Sequence, residues 1–133
     1  MNRLIPILAI ALLLGACSET KPISPDLASL GHRIYARPIQ GVPATVIFVR
    51  DIGFVDLGRT AYVTVDDELA AELETAEKVE IDMTAGNHVF GVAKSAASGS
   101  TVSIVDVTLE PGKTYVYRLI SDASGLRIQD AIK

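Results

Sequence analysis

Residues 77–84 (EKVEIDMT) alternate strictly. Val79, Ile81 and Met83 fall on one side of an extended chain, and Lys78, Glu80, Asp82 and Thr84 on the other. A helical period would scatter these apolar residues around its circumference, so the segment asks for a sheet with one buried and one wet face. The same grammar recurs from Ala44 onward, with turn residues at short intervals. Residues 44–50 (ATVIFVR) are β-branched and apolar on both faces, as a central strand is. A loop follows from Asp51, with glycines at 53 and 58, and then residues 60–65 set Ala61, Val63 and Val65 against Tyr62 and Thr64. Ala85-Gly86-Asn87 turns the chain into residues 88–94, and the small-residue tip 96–100 leads into 101–109. The turn Glu110-Pro111-Gly112-Lys113 precedes 114–121, which align Tyr115, Tyr117 and Leu119. Residues 122–125 turn into a last short strand at 126–129.

Residues 66–78 (DDELAAELETAEK) are open to two readings. They are rich in helix formers, and Leu69, Ala70, Leu73 and Ala76 would share a helical face. The alternative is a tight turn at 66–68, a strand at 69–73 and a second turn at 74–76. The strand is preferred, because its neighbours lie only about a dozen residues apart and turn signals every 8–12 residues suit an antiparallel array. The expectation is an all-β chain, a single antiparallel β-sandwich of about seven short strands. The chain has no Trp, three Phe and four Tyr, so its core is expected to rest mostly on Val, Ile, Leu and Ala. The formal net charge of −4 argues against a nucleic-acid partner, which calls for a basic stripe.

The N-terminus follows a different rule. Asn2 and Arg3 make a short polar, positive start, residues 4–14 are apolar apart from Pro6, and Gly15 and Ala16 are small. This is the order of a secretory signal. The apolar run is shorter than the ~20 residues a membrane-spanning helix needs, and Ser18-Glu19-Thr20-Lys21 follows at once. A soluble secretory signal would require the small residues alone. Leu14-Gly15-Ala16-Cys17, however, resembles the lipobox of bacterial lipoproteins. That resemblance implies cleavage between Ala16 and Cys17, a diacylglyceryl group on the Cys17 sulfur and a further acyl chain on its amine. Two or more chains anchor stably where one does not. Cys17 is also the only cysteine, so an internal disulfide is excluded and lipidation accounts for the odd thiol. Ser18 stands where an inner-membrane retention aspartate would be. The resemblance therefore implies anchorage in the outer membrane, facing the periplasm.

The expected organisation is a signal peptide at 1–16, a lipidated Cys17 with a flexible tether to residue 43, and a sandwich domain at 44–133. Pro22, Pro25, Pro38 and Pro43 punctuate the tether, with Gly31 and Gly41. As a flexible coil it would span roughly 30 Å. Within it, Ser24 and Pro25 suit the start of one or two helical turns that stop at Gly31.

Several phrases of the domain carry a second resemblance. They are the 44–51 opening (ATVIFVRD), Val63-Thr64-Val65-Asp66, the short 69–73 segment, Ala85-Gly86-Asn87-His88, and Pro111-Gly112-Lys113-Thr114-Tyr115. In this order they resemble the PEGA-like and transthyretin-like sandwich domains of bacterial lipoproteins. Asp67 departs from the pattern, standing where the usual Asp-Gly turn has its glycine. The resemblance implies an envelope lipoprotein with a structural or binding role, and its motifs specify turns rather than an activity.

Candidate chemistry is sparse in the sequence. His32 and His88 lie far apart and no zinc-ligand spacing occurs. Asp66, Asp67 and Glu68 are adjacent acids without the EF-hand pattern, and read as a solvated turn. Ser98-Gly99-Ser100 reads as a hairpin tip, since no nucleophile-elbow pattern surrounds it. No cofactor and no catalytic residue are expected. The loop residues Ile52, Phe54, Val55 and Leu57 are unusually apolar. They either fold back over one end of the sandwich or form a contact for a protein partner or the membrane. Two roles follow. The first is a non-enzymatic lipoprotein, held in the membrane through Cys17, whose sandwich meets another envelope protein through this loop or an exposed strand edge. The second is a module for a sugar, peptide or peptidoglycan fragment, accessory to a hydrolase or transporter and lined by Tyr62, His88, Tyr115 and Tyr117. For Tyr115 and Tyr117 the preferred reading is a half-buried pair, with the ring in the core and the hydroxyl at the edge.

Overall fold

A computed structural model of the chain describes residues 21–53 and 59–131. Ala16, Cys17, Phe54, Val55 and Leu57 lie outside the described residues. Ten strands run in chain order: β1 (Ser29–Leu30), β2 (His32–Arg33), β3 (Pro43–Arg50), β4 (Ala61–Val65), β5 (Glu68–Leu73), β6 (Glu77–Thr84), β7 (Gly86–Ala93), β8 (Thr101–Leu109), β9 (Thr114–Asp122) and β10 (Gly125–Asp130). They form two five-stranded sheets, ordered β1-β6-β3-β9-β10 and β2-β5-β4-β7-β8, packed face to face.

The all-β sandwich is as expected, with two corrections. The count is ten strands among the described residues rather than about seven: the eight segments read as strands all form, and β1 and β2 arise from the proline-punctuated segment. The first sheet is also mixed rather than antiparallel. The β3–β9 and β1–β6 pairs are parallel. Parallel pairing requires a long crossover, and the chain from β4 to β8 supplies one between β3 and β9.

Each strand follows its sequence. β3 is apolar on both faces because it lies between β6 and β9. β6 buries Val79, Ile81 and Met83 and exposes Glu80 and Asp82. The ambiguous segment forms the strand β5, hairpinned to β4. A register shift between Val63 and Thr64 lets Ala70 and Ala71 both sit buried in the core, where only small side chains fit. At the centre, Phe48 of the first sheet meets Phe90 of the second edge-on, with ring centroids 5.0 Å apart. Tyr117 closes the cluster 5.1 Å from Phe90. Gly91 is forced by space, because a Cβ there would lie 2.5 Å from Thr64 Oγ1.

The β4–β5 turn is a two-residue hairpin with Asp66 at φ 51° and Asp67 at φ 66°. Positive φ at both central positions is the type I′ condition, which favours glycine second. The turn is therefore tight despite Asp67, and Asp67 bears the left-handed strain. It is exposed. Asp67→Gly should raise stability by about 0.5–1 kcal/mol. A urea midpoint that stays put or falls would show that the turn is unstrained.

The sequence predicts a flexible tether over residues 21–40. They run instead as a strap fastened to both sheets. Lys21 and Ile52 exchange backbone hydrogen bonds of 2.6 and 3.0 Å. Pro25 opens a single hydrogen-bonded turn, in which the Ser24 carbonyl accepts from the amides of Leu27 and Ala28, and the turn ends before Gly31. β1 then extends the first sheet beside β6, and β2 extends the second beside β5. The chain crosses between sheets at Gly31, where a Cβ would lie 2.3 Å from Leu73 Cδ2 and 3.0 Å from the Glu72 carbonyl. Beyond it, the amides of Ile34 and Tyr35 both donate to the Ala70 carbonyl, and Tyr35 packs on the core. The proline spacing that suggested a coil instead keeps the strap from forming long strands of its own.

Candidate functional site

Two clusters gather polar side chains. The first joins the strap to the first sheet. Arg118 on β9 donates to Asp51 Oδ1 at 2.6 Å and to the Ile23 carbonyl at 2.9 Å. The Ile23 amide donates back to the same carboxylate oxygen at 3.3 Å. Asp51 is almost fully buried, with 2% of its side chain exposed, and Arg118 keeps 18%. β3 and β9 bring the pair together by running parallel, so that Arg118 lies opposite Val49, next to the end of β3. Arg50, also buried, reaches across the same end of the sandwich to the carbonyls of Arg59 and Leu73.

The second cluster lies at the opposite end, where the β4–β5 turn meets the start of β7. Asp66 Oδ1 accepts the Val89 amide at 2.9 Å, and Oδ2 lies 2.7 Å from His88 Nδ1. His88 Nε2 lies 2.6 Å from the Thr84 carbonyl. Both ring nitrogens lie within hydrogen-bond distance of an oxygen, so the ring is held between the turn and the end of β6. The ring also stacks on Phe90, with centroids 6.4 Å apart. An open depression of about 330 Å³ adjoins the pair, lined further by Asn87, Asp106 and Thr108.

Partial burial pushes the Asp66 carboxyl up. The Val89 amide, the His88 ring and the Arg37 charge outweigh that and hold it below the ordinary carboxylate value. A depressed carboxyl contributes stability that is present above its unfolded value and is lost as pH falls through its folded value. Asp66→Asn should therefore cost roughly 1 kcal/mol at pH 7, discounted because the carboxylate is about one-third exposed. The difference from wild type should shrink below about pH 4. Urea midpoints at pH 7, 4 and 3 measure it, and a gap that widens in acid would contradict the assignment.

The tyrosines expected to line a ligand site are not brought together. Tyr117 is in the core, and Tyr115 packs against it with its hydroxyl accepting the Glu110 amide at 2.8 Å. Tyr62 lies opposite Ala93 and shares a face with Thr64 and Gly91, away from the core. Ile52 is half-buried in its pairing with Lys21, so it belongs to the strap junction. Among the described residues, His, Cys, Asp and Glu do not gather in threes as a metal site requires. The Asp51–Arg118 pair was missed in the sequence because its members stand far apart and carry no motif. The Asp66–His88 pair had a partial signal, since both flank recognised turns.

No protein-family model matches the chain, and a search of curated proteins finds no significant relative.

Proposed function

We propose that this chain is a bacterial envelope lipoprotein, anchored through acylated Cys17 and facing the periplasm from the outer membrane. Its sandwich then serves a non-enzymatic binding or structural role. The observation that carries this reading is Leu14-Gly15-Ala16-Cys17 at the end of a short apolar run, with the only cysteine of the chain at the acylation position. The polar clusters support it from the other side. Asp51–Arg118 and Asp66–His88 spend their hydrogen bonds on holding the strap and a hairpin, which is structural work.

The partner contact in this reading is the β8 edge. Among the described residues β8 pairs with β7 alone, and Val102 and Ile104 on it are 52% and 64% exposed. Strand addition uses an edge of this kind, with main-chain bonds for affinity and apolar side chains for selectivity. Membrane fractionation and the mass of the N-terminal peptide test the anchor. Wild type should sediment with membranes and carry lipid on Cys17, and Cys17→Ser should be released. A free Cys17 thiol on soluble protein would refute the reading. A photo-crosslinker at Ile104 in intact cells should capture one reproducible envelope protein, and its absence would remove the β8 edge from the proposal.

A further inference from the structure

The strap brings the apolar surface of its first turn to the end of the sandwich where the chain would leave for its anchor. Leu27 and Leu30 are 78% and 80% exposed, the two most exposed large apolar side chains among the described residues. A leucine this open is unremarkable alone. Two of them, three residues apart on a fastened segment, are less easily dismissed. Both lie at the β3 C-terminal end. The Ser29 amide donates to the Ala76 carbonyl, and the Ala76 amide donates to the Arg50 carbonyl. Lys21 is fixed at the same end by its exchange with Ile52.

The distance to the anchor is short. From Cys17 to Lys21 there are about four residue steps, or roughly 14 Å of fully extended chain at ~3.5 Å per residue. β3 alone has 8 residues, a length of roughly 27 Å. The leash is therefore shorter than the sandwich, and the Lys21 end stays beside whatever Cys17 is embedded in.

We propose that Leu27 and Leu30 form a membrane-contact surface. The sandwich rests end-on against the bilayer that holds its own Cys17 lipid, with Leu27 and Leu30 in the interface and the β4–β5 turn outward. This rests on the lipoprotein reading above. The anchor makes the contact intramolecular, so two leucines too weak to bind a bilayer alone suffice to orient the domain.

The chain has no Trp, so a single tryptophan reports its own surroundings. Leu30→Trp and Val42→Trp both replace exposed residues, and Val42 marks the far end at 63% exposure. Each full-length acylated variant is reconstituted into phosphatidylethanolamine–phosphatidylglycerol vesicles containing brominated phosphatidylcholine. The expected result is a blue-shifted emission from Leu30→Trp, quenched several-fold more than that of Val42→Trp. Adding Leu27→Asp should reduce that quenching while the protein still floats with the vesicles. Two outcomes overturn the proposal: equal quenching at both positions, or none at Leu30→Trp in protein that floats. If the protein does not float and the mass of Cys17 shows no lipid, the anchor reading has failed and the contact falls with it. Loss of flotation with lipid present on Cys17 would overturn the anchor and the contact together, since the acyl chains would then not hold the protein to the bilayer.

Discussion

Phe90→Ala is expected to lower the unfolding free energy by about 3–5 kcal/mol, against a total of roughly 5–15 for a domain of this size. Phe90 is fully buried and is the second sheet's ring in the central aromatic cluster, meeting Phe48 at 78° and Tyr117 at 81°. Edge-to-face pairs add to the area buried. The remaining core is built of Val, Ala, Leu, Ile and Met on strands whose positions the two hydrogen-bonded sheets fix. Such a frame relaxes poorly around a hole, which places the cost at the upper part of the range. Phe90→Leu keeps most of the volume and should cost less than half as much. Urea midpoints with unchanged m-values measure both. An alanine variant within about 1 kcal/mol of wild type would mean that the sheets are held together elsewhere.

That cluster was only partly visible in the sequence. Alternation placed Val79, Ile81, Met83, Val63, Val65 and Tyr117 on buried faces, and each is buried. The period-2 rule works because one sheet face is wet and one dry, so local chemistry reports the tertiary environment directly. The same rule says nothing about which strands lie side by side. The parallel β3–β9 pairing joins segments far apart in the chain, and no local signal marks it. It also decides where Arg118 goes, so the Asp51–Arg118 pair was illegible for the same reason. The strap is hidden from the sequence on a different ground. Proline argues against long regular strands, and β1 and β2 are two residues each. A segment that borrows its hydrogen bonds from Ala70, Ala76 and Lys78 can be well fixed without any periodicity of its own.

The turn at 66–67 marks the limit between the two cases. Its acids were legible as a turn, and the chain does turn there. That Asp66 also caps the Val89 amide and meets His88 required β7 to lie beside β4, which is tertiary information. The candidate site is thus readable as residues and unreadable as a constellation.

Asp51→Ala is the second substitution with a large expected effect, about 3 kcal/mol, near the low end for breaking a buried ion pair because Arg118 keeps some access to water. The loss has two parts. The Arg118 guanidinium loses its carboxylate while still held against the Ile23 carbonyl, and the Ile23 amide loses its acceptor. Leaving a buried donor unmet costs more than the bond contributed. If that account holds, removing both charges should be cheaper than removing one. The double variant Asp51→Leu/Arg118→Met should recover at least half of the single-variant loss, giving a coupling well above 1 kcal/mol. The location of the damage separates this from general weakening. Lys21 to Gly31 touch the first sheet at the Ile52 exchange, this pair, and the β1 bonds to Ala76 and Lys78. Losing the middle fastening should expose amides 21–31 to hydrogen exchange while β3, β6 and β9 stay protected. Uniform loss of protection across both sheets would instead make Asp51 part of the global core. In that case the strap would follow the sandwich rather than hang on this one charge pair.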